Sequence, residues 1–246
     1  MKRLKAAPRI ASIGVKPNPH AVGTRALKKE VQKLLQADDF KKSLEAACRR
    51  PARKVINPLF TFFFHPQDLI KWRAVAMMGT VVSQLATREI ESARVVMRRL
   101  MWNLNDESGG IGWGSPEAMG DIMAKSPRLA DEFASILISY LDPDGNFIEY
   151  EALQRGVLWG IGKLAQARPE LVKDSARLLI PFLESGDPML RGLAAWAASA
   201  LKAEITTPAL NRLSNDANRI SIFLDDKPVE RRICQLLPES CLKNKD

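Results

Sequence analysis

Residues 153–167, LQRGVLWGIGKLAQA, decide the fold, because their pattern returns in WRAVAMMGTVVSQLA (72–86) and LRGLAAWAASALKA (190–203). On one register, Met78, Met119, Trp159 and Trp196 lie 41, 40 and 37 residues apart, and each precedes a small residue, Gly79, Gly120, Gly160 or Ala197. Six positions before the large residue stands Trp72, Trp113, Leu153 or Leu190. An apolar residue and a small one seven apart share a helical face. A unit of two helices recurring at roughly forty residues is a solenoid signature. The pattern predicts an all-α chain, a right-handed α-α superhelix. Each second helix is apolar over a wide arc because it packs on its own partner and on both neighbouring units.

Working outward, residues 55–202 hold four such units, with first helices expected near 55–64, 90–104, 129–141 and 171–184. Before them, residues 24–54 read as an N-terminal helical hairpin, its first helix starting from a Thr24 cap and its second ended by Pro51. Residues 1–23, with Pro8, Pro17 and Pro19 and no apolar periodicity, read as a basic, flexible leader. Residues 203–246 read as a C-terminal cap, since the last unit of a solenoid must cover its apolar face. Within the cap, Ile220–Leu224 is expected to be extended, DDKP (225–228) a turn and VERRICQLL (229–237) a last helix. All of this forms one continuous solenoid domain.

Charge is unevenly spread. Of the formal +9, residues 1–54 contribute +11, from 15 Lys and Arg against 4 acids, whereas residues 103–151 carry ten acids against Lys125 and Arg128, a net of −8. A surface that tracks phosphates needs cations along its groove, so the middle of the chain has the wrong sign for duplex binding. Residues 1–54 instead offer a basic surface to nucleic acid or another anionic partner. Cys48, Cys234 and Cys241 form no CxxC pair and are too few for a disulfide framework, which fits a reducing, cytoplasmic setting. No run is apolar enough for a secretory signal or a membrane span.

Two loops stand out. The first, NLNDESGGIGWGSPEAMG (103–120), combines Gly109, Gly110, Gly112 and Gly114 with Asp106, Glu107, Trp113 and Glu117. It reads either as a binding loop or as a long connection with glycine caps. With no strand before it, GGIGWG is not a dinucleotide fingerprint. The second, DPDGNFIEYE (142–151), offers oxygens on Asp142, Asp144, Asn146 and Glu149, but its glycine is misplaced for a calcium loop, and a turn is the better reading. Stacking of units two and three should bring both loops onto one acidic surface with Trp113, Phe147 and Tyr150 at hand. The tryptophans at 72, 159 and 196 are expected in the core. Arg73 and Arg191, at one register position, are expected either to bond loop carbonyls or carboxylates or to line a concave face. His20 and His65 have no nucleophile or metal partner in the sequence, so no catalytic residue, metal site or cofactor is expected.

The paired helices, their length, and turns such as LDPDG (141–145) and ESGDP (184–188) resemble HEAT-like repeats of the α-α superhelix class. Residues 98–124 and 149–165 also look like a bacterial group of HEAT-like proteins with no assigned activity. The resemblance covers roughly residues 50–200 and departs from the pattern at Gly114, Ser115 and Pro116. It implies an interaction scaffold, since most HEAT-like proteins bind partners, although a few are DNA glycosylases or tetrapyrrole lyases. The expected function is a non-enzymatic scaffold that binds a protein partner through Asp106, Glu107, Trp113, Glu117, Asn146, Phe147, Glu149 and Tyr150. The alternative is a HEAT-like DNA glycosylase acting on damaged bases.

Overall fold

The computed structural model describes residues 19–105 and 112–242. Ten helices run from the N-terminus: α1 (Pro19–Gln36), α2 (Phe40–Cys48), α3 (Ala52–Phe62), α4 (Asp68–Arg88), α5 (Ile90–Leu104), α6 (Ser115–Lys125), α7 (Pro127–Ser139), α8 (Glu151–Ala167), α9 (Ala176–Leu183) and α10 (Pro188–Leu201). The short α11 (Thr207–Arg212), the strands β1 (Arg219–Leu224) and β2 (Lys227–Arg232), and α12 (Glu239–Leu242) complete the chain. No helix among the described residues is long and apolar enough to cross a membrane.

The second helices α4, α6, α8 and α10 stack side by side, and the register explains how. A Cβ on Gly120 would lie 2.4 Å from the Gly160 Cα, and one on Gly160 would lie 2.7 Å from the Pro116 carbonyl oxygen. A Cβ on Gly156 would meet the Pro116 ring at 2.7 Å. The small residues therefore let the α6 and α8 backbones touch. The Gly120–Gly160 and Gly156–Pro116 contacts each join residues forty positions apart, so the two helices run parallel and in step. At Gly79 the vacated space holds a buried carboxylate, Asp121, which pairs with Lys125 and with Lys163 at 3.8 Å. The large partners Met78, Met119, Trp159 and Trp196 are all buried.

The first helices are joined more loosely, by polar bridges: Arg99 donates to Asn57 between α5 and α3 at 2.9 Å, and Arg94 holds Glu132 between α5 and α7. A cavity of about 650 Å3 opens beside α3 and α5, rimmed by Arg50, Arg53, Arg88 and Arg99.

Three local expectations change. Helix α1 begins at Pro19, within the expected leader and ahead of Thr24; a proline at the first helical position loses no bond there. Residues 1–18 of that leader lie outside the described residues. The fourth first helix is split, a tight 3-10 segment at Pro169–Ser175 preceding α9, with the Ser175 hydroxyl donating to the Val172 carbonyl. The stretch VERR is strand rather than helix: β2 pairs antiparallel with β1, Ile222 opposite Val229, through a turn at Asp225 and Asp226, both with positive φ. Alternation places Ile220 and Ile222 in the core, and this inward pairing prevails over the helical tendency of Glu230 and Arg231. Only Ile233–Leu236 is helical, as one 3-10 turn.

Candidate functional site

The β-hairpin does more than cover the last repeat. It turns back along the second helices as far as α4, where the Phe223 ring stacks on Trp72 at 5.1 Å with an interplanar angle of 3°. The Phe223 carbonyl accepts a hydrogen bond from the indole N–H of Trp159 at 3.1 Å. Trp72 also packs on Trp159, and Trp159 on Trp196, at centroid distances of 4.9 and 6.2 Å. Ile220 fills the space beside Gly192 of α10.

Beneath the hairpin lies a cleft of about 490 Å3. Asp68, Lys71 and Trp72 of α4 form one wall, Arg155 and Trp159 of α8 another, and Ser221, Ile222 and Pro228 of the hairpin a third. Trp113, Gly114 and Glu117 enter from the start of α6. Gly114 adopts a left-handed φ of 76° and abuts Phe63, where a Cβ would come within 2.7 Å of the ring. A glycine is required there, which accounts for the departure of unit two from the repeat.

The cleft is largely balanced in charge. Lys71 lies 3.8 Å from Asp68 and 5.4 Å from the Trp113 ring centroid. Arg155 is 2.6 Å from Asp187, the residue that caps α10. Glu117 is the exception. It is 9% exposed, and its Oε2 has no hydrogen-bond partner among the described residues. Burial pushes its carboxyl above the usual range, against the weaker opposing pull of Lys71 and the backbone amides at the helix start. The Nε of Arg155 is covered and likewise unpartnered.

Of the residues singled out by sequence, the cleft gathers Trp113 and Glu117. Asp106 and Glu107 lie outside the described residues. Asn146, Phe147, Glu149 and Tyr150 are exposed on the turn before α8 and do not line the cleft. That stretch is a hydrogen-bonded turn: the Asp144 amide donates to the Asp142 carboxylate at 3.1 Å, and the Asn146 side chain to the Ser139 hydroxyl at 2.9 Å. The middle of the chain also shows less acid at its surface than its net charge suggests, because Glu117 and Asp121 are buried and Glu132 is held by Arg94.

Sequence reasoning missed Lys71, Arg155 and the hairpin residues as parts of a site. It placed Trp72 and Trp159 in the core; Trp159 is buried and also faces the cleft, whereas Trp72 is half-buried. The register position of Arg73 and Arg191 is structural. Arg73 donates to the Leu35 and Ala37 carbonyls, Arg191 to the Ser185 carbonyl and Asp216, and Gln154 at the same position to the Ile148 carbonyl. His65 accepts from the Gln67 amide at 3.1 Å as part of the turn before α4. Burial raises the Cys48 thiol, which disfavours the reactive thiolate.

Comparison with known proteins agrees with this architecture. A family model described as a HEAT-like repeat matches residues 151–197, the span of α8 through most of α10. An uncharacterized protein of Archaeoglobus fulgidus is 26% identical over 188 residues, covering 74% of this chain and 93% of that protein. The designed armadillo repeat protein YIII(Dq)4CqI superposes with a TM-score of 0.55 at 14% identity, covering 93% of this chain and 95% of that one. At that identity the likeness shows the fold alone.

Proposed function

We propose that this HEAT-like helical-repeat protein is a non-enzymatic interaction scaffold, whose protein partner docks where the loops before α6 and α8 emerge. The observation that carries the reading is a set of exposed aromatics at the starts of two helices that touch. Trp113 is 37% exposed, Phe147 39% and Tyr150 50%. Because α6 and α8 run parallel and in step, the residues preceding them leave from the same end of the stack. Rigid aromatics over a polar surround are the usual anchors of a protein interface. Asp144, Glu149 and Glu151 are exposed around them, so the partner would present basic groups. Asp106 and Glu107, outside the described residues, belong to the proposed partner-binding set on their charge alone.

Affinity capture from native cell extract tests it, with the intact chain, Trp113→Ala and the combined Asp106→Ala, Glu107→Ala, Glu149→Ala variant as baits. A protein retained by the intact chain should be lost on both variants, and equal retention on all three baits overturns the assignment. The glycosylase reading would rest on Glu117 lining the same cleft as Trp72, Trp113 and Trp159. It requires release of a damaged base from duplex DNA and binding that survives removal of residues 1–18.

A further inference from the structure

The cavity beside α3 and α5 carries a chemistry that the loops before α6 and α8 do not share. Its volume of about 650 Å3 lies within the range of small-molecule pockets. Lys71, near the start of α4, faces Trp113, whereas Arg88, on the cavity rim, ends that helix, so the two sites lie toward opposite ends of α4. Ile56, Leu85 and Val95 give the cavity an apolar lining, and Val95 is 57% exposed. Its rim is charged, and the charges do not cancel. Arg50 is held by Glu30 and Glu91 by Arg94, two partners that do not line the cavity. That leaves Arg53, Arg88 and Arg99 against Glu89. Among the described residues none of these three arginines is ion-paired; Arg99 lies 3.8 Å from the Phe60 ring centroid and donates to Asn57 at 2.9 Å.

We propose that this cavity binds an amphiphilic anion, a carboxylate or phosphate group on an apolar body. The unpaired guanidinium groups favour an anionic head, whose oxygens match their forked N–H groups. A bare anion would leave the apolar lining wet, and a neutral apolar body would leave the arginines without a counter-charge. Head and body are therefore needed together. The body lies against Ile56, Leu85 and Val95, and the head meets the arginine rim. Glu89 is the remaining opposing charge; it accepts from the Ser92 hydroxyl at 3.0 Å, and three cations outweigh it.

The test titrates the intact chain with decanoate and decyl phosphate, each below its micelle concentration. The comparators are 1-decanol, a body without a charge, and inorganic phosphate, a head without a body. Binding is followed by the methyl signals of Ile56, Leu85 and Val95 in the isotope-labelled protein, assigned by single substitutions. The expected result is saturable shifts of these signals with at least one amphiphile, and affinity lower by about tenfold or more for both comparators. Whichever amphiphile binds more tightly identifies the head. Equal affinity for 1-decanol would mean nonspecific apolar binding, and equal affinity for inorganic phosphate an adventitious ion only; either result overturns the proposal. So does the absence of any shift with both amphiphiles. Arg53 and Arg88 are exposed, so replacing them leaves the core intact. The combined Arg53→Gln, Arg88→Gln variant should bind the amphiphile about tenfold or more weakly and 1-decanol as before, and an unaltered amphiphile affinity would also refute the site. Because no partner protein enters the measurement, its failure leaves the scaffold reading standing.

Discussion

Glu117 shows how much one residue's setting differs from its identity. In the sequence it is an acid two positions into a helix start, an ordinary place for a carboxylate beside the helix dipole. In the folded chain its carboxyl is covered by the α8 backbone at Gly156, where a Cβ would lie 2.8 Å from Oε2. The native carboxyl therefore holds its proton more tightly than the unfolded one, whose ordinary value is 4.5. A raised carboxyl favours folding at low pH, and that contribution is lost as pH rises through the native value. Glu117→Gln removes the titration, so it should gain stability relative to the parent chain as pH increases. We expect the variant to melt higher at about pH 8 by roughly 2–4 °C for each kcal/mol gained, with the advantage gone near pH 4. Thermal melts at both values check this, and a pH-independent difference would show that Glu117 is not buried in its charged form.

At the scale of the element, the repeat register proves to be a packing code whose small member matters most. Gly120 and Gly160 allow backbone contact between α6 and α8, while Gly79 admits the Asp121 carboxylate. A methyl group at Gly120 meets main chain, which cannot swing aside. Gly120→Ala should therefore destabilise the protein by about 1–3 kcal/mol despite the better helix propensity of alanine. Gly186→Ala, where a Cβ would have nothing within 4 Å, should change stability little. Denaturant unfolding of the two variants makes the comparison, and similar losses at both positions would refute the contact. The large–small pairs and their spacing were legible in the sequence because a solenoid repeats its local environment. The turn chemistry of residues 142–146 was legible for the same local reason. The β2 strand was not, since Val229–Arg232 pairs with Arg219–Ile222 only once those segments meet.

At the scale of the whole molecule, the decisive feature is the return of the C-terminal hairpin to α4. Phe223 and Trp72 are 151 positions apart in sequence, yet their rings stack face to face. The hairpin thereby ties the last repeat to the first and roofs the cleft between them. Phe223→Ala should cost about 3–5 kcal/mol, as for other buried phenylalanines. A double-mutant cycle with Trp72→Ala should yield a coupling of about 0.5–1.5 kcal/mol. A coupling near zero would mean that the hairpin covers only its own end of the stack.

The sequence by itself determined the helical repeat, its forty-residue register, the positions that must be small, and the basic N-terminal stretch and acidic middle of the chain. These follow from residues close in sequence, or from a pattern repeated along it. Only the tertiary structure decided the cleft. Its walls come from α4, α6, α8 and a hairpin beyond residue 218, and its buried carboxyl has no unusual feature in the sequence. Burial, pairing and stacking are properties of what surrounds a side chain, and here the surroundings are supplied by parts of the chain far apart in sequence.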